Sequence, residues 1–242
     1  MKLTVLGKYG PFPNAGGGTS SYLLRTRGAN ILLDAGEGSF SKVVGKIPPE
    51  KIDAFVITHF HFDHVCDLGV YSYYFERLSA VGNITEKPLL FCPADDNNPI
   101  SAPFRLSPQF EVVNVKDGFE MTVKGVKLKF FAMRHPALCF GVKICDGERT
   151  FSYTGDTNVC ENLAPLTENA DCVLADGCFL FKDWTENKPH LSVKHCADLS
   201  LSCGAKVIVS HINPSYEKRE ILAEIPSDAN CVVAEEGKEY EI

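Results

Sequence analysis

The sequence predicts a mixed α/β (α+β) fold in a single domain, with two β-sheets covered on their outer faces by helices. Three observations lead there. Short apolar runs rich in Val, Ile and Phe recur along most of the chain, while only three segments read better as helices. The 242 residues, 45% of them apolar, can bury a sizeable core. No linker-like change of composition divides them.

Taken in order, Met1-Lys2-Leu3-Thr4-Val5-Leu6-Gly7 is too short and too alternating for a secretory signal and reads as a strand over 2–7. Further strands are expected over 20–25, 30–34, 53–58, 89–92, 110–115, 121–123 and 126–133, then over 140–145, 150–154, 172–175, 207–210 and 231–233. Helices are expected over 63–78, over 192–203 and around 216–224. The second carries Val193, Cys196, Ala197 and Leu199 at helical spacing, with Gly204 in the C-terminal capping place. Gly16-Gly17-Gly18 lacks the following Lys-Ser/Thr of a phosphate loop and reads as a turn near the mouth of a site. The stretch 82–108, with Pro88, Pro93, Pro99, Pro103 and Pro108, is the least regular; a lid, an interface element and a plain surface loop are all open.

No apolar run approaches the length that spans a bilayer. Ten cysteines without a Cys-x-x-Cys pair, several inside apolar runs such as that around Cys172, read as buried thiols, none within the ligand series below, in a reducing cytoplasm. The formal charge of −7, from 24 basic and 31 acidic residues, argues against a grip on long nucleic acid, which draws on clustered Lys and Arg. Lys124, Lys127 and Lys129 make only a short group on a strand. The expected partner is a small molecule, with no membrane and no long nucleic acid.

The chemistry concentrates in Thr58-His59-Phe60-His61-Phe62-Asp63-His64, which follows an apolar strand and holds three of the seven histidines. Imidazole and carboxylate are the usual ligands of zinc and related divalent ions. Three other expected strands run into a possible ligand: 127–134 into His135, 150–155 into Asp156 and 206–210 into His211. In open α/β sheets ligands sit outside the carboxyl ends of strands, so four such ends predict one site built from separated places. Asp34, Asp67 and Asp176 could orient ligand imidazoles, or could simply serve turns. His195 is expected to face solvent.

His59-x-His61-x-Asp63-His64, His135, Asp156 in Tyr153-Thr154-Gly155-Asp156-Thr157, and His211 resemble the ligand series of the metallo-β-lactamase superfamily. Within it, Leu33-Asp34-Ala35-Gly36-Glu37-Gly38, Arg134-His135-Pro136 and His190-Leu191-Ser192 are similar to the branch that contains tRNase Z and its shorter phosphodiesterase relatives. The resemblance implies a four-layer α-β-β-α sandwich with a dinuclear centre on one edge. It places His59, His61 and His135 on one ion, Asp63, His64 and His211 on the other, and Asp156 between them. The ions would be zinc, with manganese or iron as alternatives, sharing a hydroxide as nucleophile. Such a water falls from a pKa of about 15.7 to roughly 7. Asp63 and His190 are the catalytic candidates, His190 as proton donor or oxyanion partner. A homodimer is suggested by the same resemblance.

The implied activity is hydrolysis of a small or cyclic phosphodiester. The alternative is thioester, lactone or β-lactam cleavage by the same hydroxide. A tRNase Z-like ribonuclease fits less well, because the tRNA-clamping arm of that family would fall between His135 and Asp156, only 21 positions apart. Di-iron redox relatives place Glu where this chain has His61. Phe62, where relatives often carry a smaller residue, could narrow the pocket.

Overall fold

The apolar runs pair into two seven-stranded sheets in a computed structural model that describes residues 1–84 and 86–242. In chain order the strands are β1 (Lys2–Gly7), β2 (Ser21–Arg25), β3 (Asn30–Ala35), β4 (Ala54–Val56), β5 (Leu89–Pro93), β6 (Glu111–Val115) and β7 (Glu120–Val123), followed by β8 (Val126–Met133), β9 (Cys139–Cys145), β10 (Thr150–Tyr153), β11 (Cys172–Asp176), β12 (Lys206–Ser210), β13 (Cys231–Val233) and β14 (Glu239–Glu241). The helices are α1 (Ser39–Val44), α2 (Phe62–Val65), α3 (Leu68–Ala80), α4 (Ala102–Arg105), α5 (Leu163–Thr167), α6 (Val193–Cys203) and α7 (Lys218–Ala223). The spatial orders are β14-β1-β2-β3-β4-β5-β6 and β13-β12-β11-β10-β9-β8-β7.

Apolar burial stacks these sheets face to face. Leu3, Val5, Ile31 and Val56 of one meet Leu128, Phe130, Phe151 and Ile208 of the other. The rings of Phe91 and Phe130 stack with centroids 5.6 Å apart. On the outer face of the first sheet, Leu68, Tyr71 and Phe75 of α3 cover Leu32, Phe55 and Leu90. On the outer face of the second, Val193, Cys196 and Ala197 of α6 cover Val173, Val207 and Val209. The result is the expected α-β-β-α order of layers.

Strand direction then decides where chemistry can gather. β3, β4, β5 and β6 run parallel, as do β10, β11, β12 and β13. β8 is antiparallel to β9, and β9 to β10, so β8 and β10 end on the same side. The ends of β3, β4, β8, β10, β11 and β12 carry or lead into Asp34, His59, His135, Asp156, Asp176 and His211.

The helix expected over 63–78 is instead two pieces. The Asp67 amide donates to Ala35 O at 2.9 Å, and the Asp67 carboxylate accepts the Phe40 amide at 2.8 Å. These local bonds break the helical ladder between α2 and α3, so Asp67 serves the chain turn and not an imidazole. β14 escaped the sequence reading because Glu239-Tyr240-Glu241 is mostly charged; only Tyr240 points inward, while Lys2 pairs with both glutamates. α1, α4 and α5 are too short to show a helical period. Within 82–108, β5 and α4 are regular, Arg105 donates to the Asn114 side chain at 3.3 Å, and position 85 lies outside the described residues. Gly17 and Gly18 are held in their turn by bonds to Asn14 O and the Glu236 carboxylate, both 2.8 Å. Among the described residues, no helix is long and apolar enough to cross a membrane.

Phe55 is fully buried against the rings of Tyr71, Phe75 and Phe110, with centroids 5.0, 6.0 and 5.4 Å away. Phe55→Ala should therefore lower the free energy of unfolding by about 3–5 kcal/mol, read from the urea midpoint at unchanged slope.

Candidate metal centre

The strand end after β4 crosses the seam between the sheets: the Phe140 amide donates to Thr58 O at 3.0 Å. His59 is thereby fully buried at the join. His61 has extended backbone, φ −76° and ψ 149°, and serves as the N-cap of α2. The first turn of α2 then sends Asp63 and His64 inward while Phe62 turns out, 66% exposed. Phe62 thus stands at the surface and does not fill the centre.

The second sheet supplies the rest. His135 follows β8, and its Nδ1 donates to Pro189 O at 3.2 Å, leaving Nε2 for the interior. Asp156 follows Gly155, whose φ of +58° and 3.0 Å approach of a notional Cβ to the Thr58 side chain leave only glycine unstrained there. His211 leaves β12 with φ 54°, and Asp34 ends β3 with φ 53°. Left-handed backbone costs roughly 1–2 kcal/mol for a residue with Cβ. Here the strained turns hold one imidazole that reaches the centre and one carboxylate that stands behind another imidazole.

Two sets of donors result. His59, His61, His135 and Asp156 each present a ligand atom within 4.8 Å of the others, as do Asp63, His64 and His211. His61 Nδ1 lies 2.8 Å from His59 Nε2 and 3.1 Å from His135 Nε2. Asp156 stands between the sets: Oδ2 is 3.6 Å from His59 Nε2 and 3.3 Å from His64 Nε2, and Oδ1 is 3.4 Å from His211 Nδ1. Asp63 Oδ2 lies 3.6 Å from His64 Nε2 and 3.9 Å from His211 Nε2. Donors held tetrahedrally at zinc-like bond lengths lie about 3.3 Å apart, so these spacings suit divalent ions. His64 Nε2, Asp156 Oδ1 and His211 Nε2 are buried without a hydrogen-bond partner, a costly state that a cation would relieve. The residues present fit such ions.

Carboxylates behind the imidazoles orient two of them. Asp34, fully buried, accepts from His64 Nδ1 at 2.8 Å, from the Thr58 amide at 2.8 Å and from the Tyr153 hydroxyl at 2.7 Å. Asp176 accepts from His190 Nδ1 at 2.8 Å. Burial holds His59, His61 and His211 below the usual imidazole pKa and His135 down to about 4, so their lone pairs stay free. Burial also disfavours charge on His64, but Asp156, Asp34 and Asp63 together outweigh it and hold this ring well above the usual range. The same crowding of carboxylates is what a cation would neutralise. At His190 burial again opposes the charge, and Asp176 overcomes it, raising the pKa to about 9. Burial pushes the Asp63 carboxyl up.

Two residues here lay outside the sequence reading. Cys178 presents its sulfur within 4.8 Å of the ring nitrogens of His190 and His211, and Cys139 Sγ is 3.8 Å from His59 Nδ1. Burial keeps both thiols protonated. Nothing in the spacing of Cys178 marks it, since the end of β11 must first be laid beside β12. His195 corrects the expectation of a solvent-facing ring. Its Nδ1 accepts the Ser192 amide at 3.2 Å in a capping box that starts α6, and its ring lies 4.4 Å from that of Trp184.

Removing Asp34 would strand the Thr58 amide, the Tyr153 hydroxyl and His64 Nδ1 in the interior at once. Asp34→Ala should cost about 3 kcal/mol or more in urea unfolding, several-fold beyond Asp67→Ala, whose one amide bond lies at the edge of a turn.

Comparison with known proteins places the chain and its fold. Residues 29–212 match the family described as "Beta-lactamase superfamily domain". The chain is 27% identical over 222 residues to "Probable metallo-hydrolase YhfI" of Bacillus subtilis (strain 168), covering 88% of this chain and 87% of that protein. The crystal structure of YhfI superposes with a TM-score of 0.91 over 99% of this chain and 98% of that one, at 24% identity. The short form of human tRNase Z gives 0.76 at 20% identity, covering 100% and 99%, and a diphosphatase from the PhnP family gives 0.74 at 19%, covering 100% and 97%. A family match across three quarters of the sequence, on a fold shared end to end with these proteins, means that this chain belongs to the β-lactamase superfamily.

Proposed function

We propose that this chain is a metal-dependent hydrolase that holds two divalent ions, zinc by preference, and cleaves a small or cyclic phosphodiester. The observation that carries the reading is the pair of neighbouring donor sets with Asp156 close to both, and with three buried polar atoms unpaired and directed into them. The similarity to YhfI, named a probable metallo-hydrolase, supports the reaction class. The similarity to a PhnP-family diphosphatase and to tRNase Z supports a phosphorus centre over a carbonyl one.

His59, His61 and His135 would hold one ion, Asp63, His64 and His211 the other, and Asp156 both. Ions in these places would lower the pKa of water and neutralise charge on the phosphoryl group. The chain's own groups do the rest. Asp34 fixes His64 with the proton on Nδ1, so that Nε2 faces the centre. Asp63, kept at the surface-facing end of its set and 9% exposed, orients the attacking water. His190 is charged at neutral pH, anchored through Nδ1 to Asp176, with its ring 5.3 Å from that of His135. Its Nε2 proton is thus available to the leaving alkoxide or to the oxygen that gathers charge. The Phe179 ring, 5.8 Å from the His190 ring, covers that imidazole on the other side.

Purified protein should hydrolyse bis(p-nitrophenyl) phosphate, lose that activity on chelation and regain it with added Zn or Mn. His64→Ala should abolish turnover together with part of the bound metal, whereas His190→Ala should keep its metal and lose roughly 10²–10⁴-fold in kcat. Bound metal without any cleavage of this diester or of cyclic nucleotides would turn the assignment to thioesters and lactones.

The pH profile carries a separate expectation. A proton donor with its pKa raised is competent below that pKa and fails above it, so the alkaline limb of kcat should lie near 9. Asp176→Asn removes the charge that raises it, and the limb should move down towards the ordinary imidazole range of about 6.5. An unmoved limb would take His190 out of the proton-transfer role.

A further inference from the structure

A cavity of about 960 Å³ lies beside the metal centre and apart from it. It opens between β13 and β14, the outermost strands at the same end of the two sheets, and α7 forms another wall. Ile221, Leu222 and Ile225 from the α7 side, Val232 of β13 and Tyr240 of β14 give it an apolar lining. Its volume lies in the range of pockets that enclose small organic ligands.

The charges around it are unbalanced in one direction. Glu239 and Glu241 are paired with Lys2, and Glu235 with Lys238. Lys8, Lys206 and Lys218 also line the cavity, and among the described residues none of them has a carboxylate within ion-pair distance. Lys8 is half-buried with its amine 5.1 Å from the Tyr9 ring, and Lys206 Nζ is 5.1 Å from the Tyr240 ring. Three amines without a carboxylate at ion-pair distance line one apolar hollow in a chain of net charge −7. Its base is the segment from Lys8 to Gly10, tied to the residue after His211 by Ile212 N to Lys8 O at 2.8 Å and Gly10 N to Ile212 O at 3.2 Å.

We propose that this cavity binds an amphipathic organic anion, an apolar chain or ring system bearing one carboxylate or phosphate head. The apolar body lies against Ile221, Leu222, Val232 and Tyr240, and the head meets one of the lysine amines that line the cavity. This site is separate from the metal centre and independent of the activity proposed there.

Calorimetric titration of the full-length protein with decanoate and with decyl phosphate, below their micelle concentrations, tests it, with decanol as the uncharged control. One equivalent of at least one anion should bind, and decanol should bind at least about tenfold more weakly, the equivalent of one charge-assisted contact. The triply substituted Lys8→Gln, Lys206→Gln, Lys218→Gln protein should lose a similar factor at unchanged thermal midpoint. If that protein is unstable, Val232→Glu, which sets a carboxylate in the wall at a partly exposed position, should have the same effect. Binding must survive chelation and His64→Ala. Three results would overturn the proposal: no saturable binding of either anion, equal binding of decanol, or binding that disappears with the metal and so belongs to the neighbouring centre. A dimer that dissociates on Val232→Glu and binds neither anion would likewise overturn it and make this face a contact between two copies of the chain.

Discussion

One buried carboxylate organises the centre. Asp34 sits at the end of β3 with no exposure and takes bonds from Thr58 beyond β4, His64 in α2 and Tyr153 in β10. The first two belong to the first half of the chain and the third to the opposite sheet. An anion in the interior survives only when it is surrounded by donors, so the position of each of these elements is constrained by the others. The left-handed backbone at Asp34, φ 53°, is the local strain that aims the side chain inward. The imidazole that Asp34 orients is the one that faces three carboxylates.

Electrostatics and packing therefore divide the molecule. The two sheets and their helices are held by apolar contact and would be stable in many sequences of similar pattern. The seam at the strand ends instead gathers Asp34, Asp63, Asp156 and Asp176 with His59, His64, His190 and His211, all of them buried. That cluster is a poor way to stabilise a fold, because desolvating so many charges costs more than their mutual attraction returns. Its existence is a property of the site and not of the scaffold, which is why the unpaired nitrogens of His64 and His211 say more than the sheet topology does.

Much of this was legible in the sequence. Thirteen of the fourteen strands begin and end within two residues of their expected places because parallel strands buried on both faces read as continuous apolar runs, such as Val207-Ile208-Val209. β4 is shorter than expected at both ends, Asp53 lying before it and Ile57 and Thr58 leaving the ladder to approach the centre; β14 was unread. The seven proposed ligands are brought together because His59, His135, Asp156 and His211 follow strand ends on one side of the sheets, and the short α2 that follows β4 carries Asp63 and His64 from its cap at His61. What stayed hidden depends on contacts between distant segments. The turn at Asp67 is set by Ala35 O and the Phe40 amide, the half-burial of His195 by Trp184, and the approach of Cys178 by the neighbouring strand. No local period records such meetings.

The seam has a consequence for the order of events in the life of the chain. The donors come from both halves: 59–64 emerge early in synthesis, while His211 lies near the end. Neither half can present a complete set, and the second sheet must dock before His135, Asp156 and His211 face the earlier group. An ion shared by these sets could be held only by a chain that has already joined its two layers. An ion bound there would act as a latch across the join, tying together two layers that are each held on their own by apolar contact.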